Sequence, residues 1–328
     1  MMHTLIANPP KITVVVPVYN TEPYLEKCLT SILENSFTEI EVLLINDASP
    51  NGYMCDDYLI RDSRVRVIHH PVNKGLSAVR NEGIRQASAD YITFIDSDDW
   101  VTSNMFLDMY NLAQIHKADI VSCNALEHFN GKPRKSYTAT TVTALKGREM
   151  LEQLLVSHPN ASHIACAKLY KRSVFSGITY PEGRIHEDAA TTYKLYHKAN
   201  VVVYTNAPYY CYAIHGQGIA NGGFRPSSMD KLVAVNEMLD YVGNYCPELL
   251  KHAHCFQIAT ALRLAADFTP NVIQQHGEAY AQVTDILFHP SATQNKLLSL
   301  RHKVLLYVFR HFKYAYYYIW RRRLNAVS

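Results

Sequence analysis

Residues 90–100 read DYITFIDSDDW, an apolar and β-branched run that stops at three carboxylates, Asp96, Asp98 and Asp99. A short apolar run bounded by turn residues reads as a strand covered on both faces. The same reading extends outward to Ile12–Val18 (ITVVVPV), Glu41–Asn46 (EVLLIN), Arg64–His69 (RVRVIH) and Asp119–Cys123. Between these runs the period becomes helical. Pro23–Asn35 aligns Leu25, Leu29, Ile32 and Leu33, and Leu76–Ala87 aligns Leu76, Val79, Ile84 and Ala87. The alternation predicts an α/β fold: a mainly parallel central sheet, helices on both faces and right-handed crossovers. Ligands of such sheets bind at the carboxyl ends of the strands, near a switch in strand order. Polar clusters fall at those ends: Tyr19-Asn20, Asn46-Asp47-Ala48-Ser49 and Asp96-Ser97-Asp98-Asp99. Asp and Asn also make turns for structural reasons alone. Three clusters on one edge argue for a site.

Carboxylates packed this closely repel one another, and a divalent cation relieves the repulsion. Mg²⁺ and Mn²⁺ favour oxygen donors and usually take one or two protein carboxylates, with phosphate oxygens and water completing the shell. The structural alternative is a cap for a helix starting near Thr102, for which a single Asp suffices. Other phosphate-binding devices are missing from the sequence. There is no GxxxxGK[ST], no GxGxxG follows the first strand, and Gly216-Gln217-Gly218 lies far downstream.

The chain has 328 residues, 48% of them hydrophobic, enough for a sizeable core. Its net charge of +3 conceals an asymmetry. Residues 286–328 hold eight Lys and Arg and no acid, which leaves about −5 on residues 1–285. A mildly acidic body argues against nucleic acid as a partner. The seven cysteines are scattered without a CxxC pair, as expected of reduced thiols in a cytosolic protein. The opening MMHTLIANPPK lacks a basic and then apolar leader, so a cytoplasmic location is expected.

The segments VVVPVYN, EVLLINDASPN, GLSAVRNEGI and DYITFIDSDDW, in this order, resemble the family 2 glycosyltransferases of the GT-A fold. The resemblance runs from Ile12 to about Trp100, then resumes at CAKLYKRSVF (166–175) and YPEGRIHEDAATTYKLYHKA (180–199). It implies an inverting enzyme that takes a sugar from a nucleotide-diphosphate donor, a UDP-sugar being expected, with Mn²⁺ or Mg²⁺ as cofactor. Pro17, Tyr19 and Glu22 would line the nucleotide pocket, and Asp47, with Ser49 beside it, would accept the ring N–H of a uracil-like base. Asn73, Gly75, Arg80 and Asn81 match the segment that closes over base and ribose. Asp96 and Ser97 would lie near the ribose, and Asp98, with Asp96, would hold the metal. The family commonly has Asp-Asp-Gly-Ser-Thr-Asp where this chain has Asn46-Asp47-Ala48-Ser49-Pro50-Asn51, so Asp47 and Ser49 persist and the last acid does not.

Inverting transfer needs one carboxylate to take the acceptor's hydroxyl proton as it attacks an oxocarbenium-like centre. Glu187-Asp188 stands where the family carries its Glu-Asp motif. Asp188 is the candidate base, and Glu187 would orient it or touch the acceptor. The structural alternative is that both acids merely begin a helix over Asp188–Lys198. His215 is a candidate diphosphate contact, while Lys168 and Tyr170 match a scaffold segment near the acceptor. The acceptor itself is expected to be a glycan or a lipid-linked sugar. Two other readings stay open: a catalytically inactive nucleotide-sugar-binding module, and a nucleotidyltransferase on a related sheet. The latter usually has a basic, Gly-rich first loop, and VVVPVYNTEPYL contains no Gly, Lys or Arg.

Residues 1–224 are expected to form the catalytic domain, with a nucleotide-binding half (about 1–123) and an acceptor half (about 124–224). The acceptor half includes a polar hairpin or flexible stretch at Asn130–Thr143 and a helix at Gly147–Val156. Residues 225–328 read as helical, broken at Pro247, Pro270 and Pro290. Bases and aromatics interleave over residues 297–324, which suits a helix lying on the inner face of a membrane. A helix packed on the protein, or a homodimer interface, is the competing expectation.

Overall fold

The computed structural model describes residues 9–50, 60–129, 132–133, 140–214, 223–313 and 316. The chain divides into two compact units, residues 1–151 with 160–216 and residues 152–159 with 217–328.

The strands of the first unit are β1 (Ile12–Val18), β2 (Ile40–Asn46), β3 (Val65–His69), β4 (Tyr91–Phe94), β5 (Trp100–Val101), β6 (Ile120–Ser122), β7 (Ala125–Phe129), β8 (Lys132–Pro133), β9 (Val142–Lys146), β10 (Lys168–Lys171), β11 (Val201–Thr205) and β12 (Tyr210–Ile214). Eight of them form one sheet in the order β3-β2-β1-β4-β10-β6-β11-β9. β1 is parallel to β2 and β4, pairing Val15 with Leu43 and with Phe94. β10 enters antiparallel between β4 and β6, and β9 closes the edge antiparallel to β11. All seven residues of β1 are buried, as its unbroken apolar run requires of a strand covered on both faces. The chain builds outward from β1 to β3, then crosses back to place β4 on the other side of β1. The strand order therefore switches between β1 and β4, where a ligand crevice is expected.

The helices Glu22–Leu33 and Leu76–Gln86 form as their spacing predicts. Pro23 sits in the first turn of the former, where its missing N–H costs nothing. The latter follows Gly75, whose φ of +85° suits a residue without Cβ. Gly83 brings this helix against β1 so closely that a Cβ would lie 2.5 Å from Val15 Cγ1. The apolar strand expected over Asp90–Asp96 ends its ladder at Phe94. Ile95 N still donates to Val15 O at 3.1 Å, and the carboxylates then turn, with Asp99 N donating to Asp96 O at 3.0 Å. The next helix begins at Met105 rather than near Thr102. A second sheet, β5-β12-β7-β8, continues from this turn. Most of the expected polar stretch lies outside the described residues; within it β8 pairs antiparallel with the preceding β7.

In the second unit, helices run over Asp230–Tyr245, Leu250–Ala265, Pro270–Gln275, Gly277–Phe288, Pro290–Gln294 and Leu300–His311. Pro247, Pro270 and Pro290 each stand in the first turn of a new segment, as the break positions predict. Its core gathers Leu232, Ile258, Leu262, Phe268, Leu287 and Phe309. The expected basic, aromatic tail divides between core and surface. Leu305, Leu306 and Phe309 are buried in this core, and so is Tyr316, whose hydroxyl donates to Leu262 O. Arg310 turns inward as well, donating to Leu287 O at 2.7 Å and His289 O at 3.1 Å, carbonyls at the end of the Gly277–Phe288 helix. The apolar spacing that suited a bilayer serves protein packing on that face. Among the described residues, no helix is long and apolar enough to cross a membrane.

Candidate active site

The ends of β1, β2 and β4 are wired to one another. Asn20, at φ +57°, donates its N–H to Ser49 Oγ at 3.3 Å, and Ser49 N donates to Asn46 Oδ1 at 2.9 Å. Thr21 and Ser97 share a hydroxyl–hydroxyl bond of 2.6 Å, tying the end of β1 to the carboxylate turn. Ser97 and Ser49 are thus buried struts that join these strand ends. Pro17 is buried in β1, Tyr19 projects 45% exposed at its end, and Glu22 opens the next helix with a buried Oε1 that has no hydrogen-bond partner among the described residues.

Asp47 is 3% exposed and largely occupied. Its Oδ1 accepts from His70 Nδ1 at 2.7 Å and Lys74 N at 2.9 Å, and its Oδ2 accepts from Gly75 N at 2.8 Å. Asn73 donates its side-chain N–H to Asp47 O at 3.3 Å. A carboxylate has about four acceptor positions, so these bonds leave about one for a ligand. The main work of Asp47 in this structure is to shape the 73–75 turn. His70 was not foreseen, because nothing in the spacing of RVRVIHH marks the second His as buried beside an acid.

Within the turn after β4, Ser97 and Asp99 are buried while Asp96 and Asp98 are partly exposed. Asp99 accepts from the Tyr210 hydroxyl at 2.6 Å and from Ala213 N at 2.8 Å. Burial, then the Asp96 charge, pushes its carboxyl up to about 8. Asp99 therefore pins β12 to the turn. The cluster reduces to Asp96 and Asp98, a two-carboxylate donor set of the size Mg²⁺ and Mn²⁺ share with phosphate oxygens. No group of three or more His, Cys, Asp or Glu is placed to cage a metal among the described residues. The residues fit a cation shared with a ligand.

Arg80 links this turn to the Glu187-Asp188 pair. It is 3% exposed, yet its guanidinium donates to Glu187 Oε1 and to Asp96 Oδ1, the latter at 3.3 Å. It lies 5.6 Å from the Tyr180 ring and 5.8 Å from the Phe94 ring, and its Nε has no hydrogen-bond partner among the described residues. Burial works against the charge, but Asp96 and Glu187 outweigh it and hold the guanidinium firmly protonated. Burial raises the Glu187 carboxyl, against the pull of Arg80. The next residue, Asn81, grips the loop before the pair: its amide donates to Tyr180 O at 2.9 Å and accepts from Tyr180 N at 2.8 Å. Arg80 and Asn81, expected over base and ribose, face the 180–187 loop.

Asp188 is partly exposed, with Oδ1 accepting from Ala189 N at 2.6 Å. The helix expected from Asp188 starts at Thr192 instead. Asp188 O accepts from Thr191 N and Thr192 N, so the pair sits on a turn rather than in the helix's first residues. Lys168 is buried, donates to Ile164 O at 2.6 Å, and is brought down to about 8 by burial, against the opposing charges of Cys166 and Asp188. Tyr170 donates its hydroxyl to Ala165 O at 3.0 Å, a scaffold contact. His215 lies outside the described residues.

The carboxyl ends of β1 and β4, with the acids after β4 and the buried Arg80 beside them, lie within the stretch that a family model matches. That model, glycosyl transferase family 2, covers residues 13–179. The chain belongs to this family. The glycosyltransferase EpsJ of Bacillus subtilis is 32% identical over 232 residues, spanning 68% of this chain and 67% of EpsJ. GlyA, a glycosyltransferase of Streptococcus pneumoniae, is 32% identical over 272 residues, 78% of this chain but 38% of GlyA. Among solved structures, S. aureus TarS 1-349 in complex with UDP-GlcNAc superposes with a TM-score of 0.69 at 20% identity, covering 94% of this chain and 89% of that one. The family 2 enzyme thus has the α/β GT-A fold with added C-terminal helices.

Proposed function

We propose that this family 2 enzyme transfers a sugar, with inversion, from a UDP-sugar to a glycan or lipid-linked acceptor in polysaccharide or cell-surface glycan synthesis. The supporting observation is the Arg80 bridge. One guanidinium holds both Asp96, in the turn after β4, and Glu187, beside the candidate base, which supports reading the two acidic turns as one site. The UDP reading draws on the shared fold, since TarS was solved with UDP-GlcNAc.

In this reading Tyr19 and Glu22 border the nucleotide, and Asp47 offers its remaining acceptor position to the base. Asp98 and Asp96 would hold Mn²⁺ or Mg²⁺, and the cation would supply positive charge to offset the negative charge of the departing diphosphate. Asp188 accepts the acceptor's hydroxyl proton, and Glu187, clamped by Arg80, keeps the turn bearing Asp188 in place. Because the leaving group departs as a stabilised anion, no second carboxylic acid is required.

The test is release of nucleoside diphosphate from a panel of UDP-, GDP- and TDP-sugars with Mn²⁺. Release is expected from a UDP-sugar, and Asp98→Ala should reduce it by about a hundredfold or more. Binding without release would make the chain an inactive sugar-nucleotide module. Pyrophosphate release from a nucleoside triphosphate and a sugar phosphate would make it a nucleotidyltransferase.

A further inference from the structure

The helix Leu300–His311 has two apolar faces. Leu305, Leu306 and Phe309 enter the core of the helical unit. On the opposite side Leu300, Val304, Tyr307 and His311 follow one another at helical spacing and all face water, Leu300 at 78% and Tyr307 at 59% exposed. Leu297 and Phe312 extend the stripe beyond both ends of the helix and are exposed too. A helix that simply borders water carries polar residues on its outer face. Here Lys and Arg appear only along the margins, with Arg301 on one flank, Lys303 on the other, and Lys296 nearby, all exposed, while His311 ends the stripe.

We propose that this stripe docks on an anionic lipid surface, the helix lying in the plane of the headgroups. Leu300, Val304 and Tyr307 would enter the boundary of the acyl region while Arg301 and Lys303 reach sideways to lipid phosphates. The charge pattern selects the occupant. From Ile286 to Ser328 the chain has no acid, so nothing on this segment repels an anionic membrane. A second copy packed through the same stripe would bring one margin of Arg and Lys near another equally basic margin, like charge near like. The proposal narrows the membrane expectation from the whole of residues 297–324 to one helix face. It goes beyond the sugar-transfer reading and does not depend on it.

The full chain is to be sedimented with vesicles of phosphatidylcholine alone, or with roughly one-third phosphatidylglycerol, alongside the double variant Leu300→Glu, Val304→Glu. Both positions are exposed, and a thermal melt confirms that the variant folds. Wild-type protein is expected to bind the anionic vesicles about tenfold or more tightly than the neutral ones, to lose binding in high salt, and to lose about tenfold or more through the double substitution. Equal binding of the variant and wild type, or no binding of wild type to anionic vesicles, would overturn the proposal. So would size-exclusion data in which the double substitution turns a dimer into a monomer and leaves vesicle binding unchanged. Sugar-nucleotide turnover in solution, measured on the same samples, separates this result from failure of the proposed chemistry.

Discussion

Asp47 accepts backbone amides from Lys74 and Gly75 and a ring N–H from His70, all in a site only 3% exposed. Asp47→Asn keeps the shape but turns an amide NH₂ toward groups that donate, so a loss of about 1–3 kcal/mol in stability is expected from urea unfolding. A variant as stable as the parent would mean that the carboxylate does not hold the 73–75 turn. At Arg80, Lys retains the charge but is too compact to span Asp96 and Glu187 together. Arg80→Lys should lower turnover about a hundredfold, the size of effect expected when a positioning contact is lost. Steady-state kinetics showing an unchanged turnover number would sever the link between the donor edge and the Glu187-Asp188 turn. At this scale the sequence was informative about which residues gather and less so about what each touches. Asp96, Asp98 and Asp99 look equivalent in DSDD, yet Asp99 is committed to Tyr210, more than a hundred residues away. That partnership depends on β12 pairing with β5, which no local pattern encodes.

Elements were read more faithfully than contacts, because burial on both faces leaves an unbroken apolar run. Ile12–Val18 is the strand the run defines, and Leu76–Gln86 falls one residue short of its expected end. The misplaced element is the helix after Glu187. Acids there resemble a helix N-terminus, but His186 takes a φ of +61° and the chain turns once before Thr192 begins the helix. The antiparallel entry of β10 was equally hidden, since KLYK carries no mark of direction. The contact between the Leu76–Gln86 helix and β1 gives a prediction at this scale. Gly83→Ala would drive a Cβ into the stiff, branched Val15, at 2.5 Å from Cγ1, and should cost about 1–3 kcal/mol. Adding Val15→Ala should recover part of that loss. Additive losses in the double variant, followed by urea unfolding, would show that the two side chains do not compete for the same space.

The first unit carries the sheet and the acidic turn after β4, while the second buries the inner face of the helix Leu300–His311. Phe309 is central to that second core, and Phe309→Ala should destabilise the helical unit by about 3–5 kcal/mol in a urea titration. An unchanged midpoint would mean that the helix Leu300–His311 is not part of the folded unit. The charge asymmetry along the chain was visible in the sequence, but the division of its aromatic residues between core and surface was not. Phe309 and Tyr307 are two aromatic residues only two positions apart, yet they occupy opposite sides of one helix, Phe309 buried and Tyr307 exposed. The account as a whole turns on Asp188 receiving the acceptor's proton across the crevice from a donor held near Asp96 and Asp98. Its most direct test is to measure donor affinity by calorimetry and sugar transfer by product formation for Asp188→Asn beside the parent enzyme. Donor affinity should stay within about threefold while transfer falls about a hundred- to ten-thousand-fold. Transfer that survives the substitution at the parental rate would contradict the account.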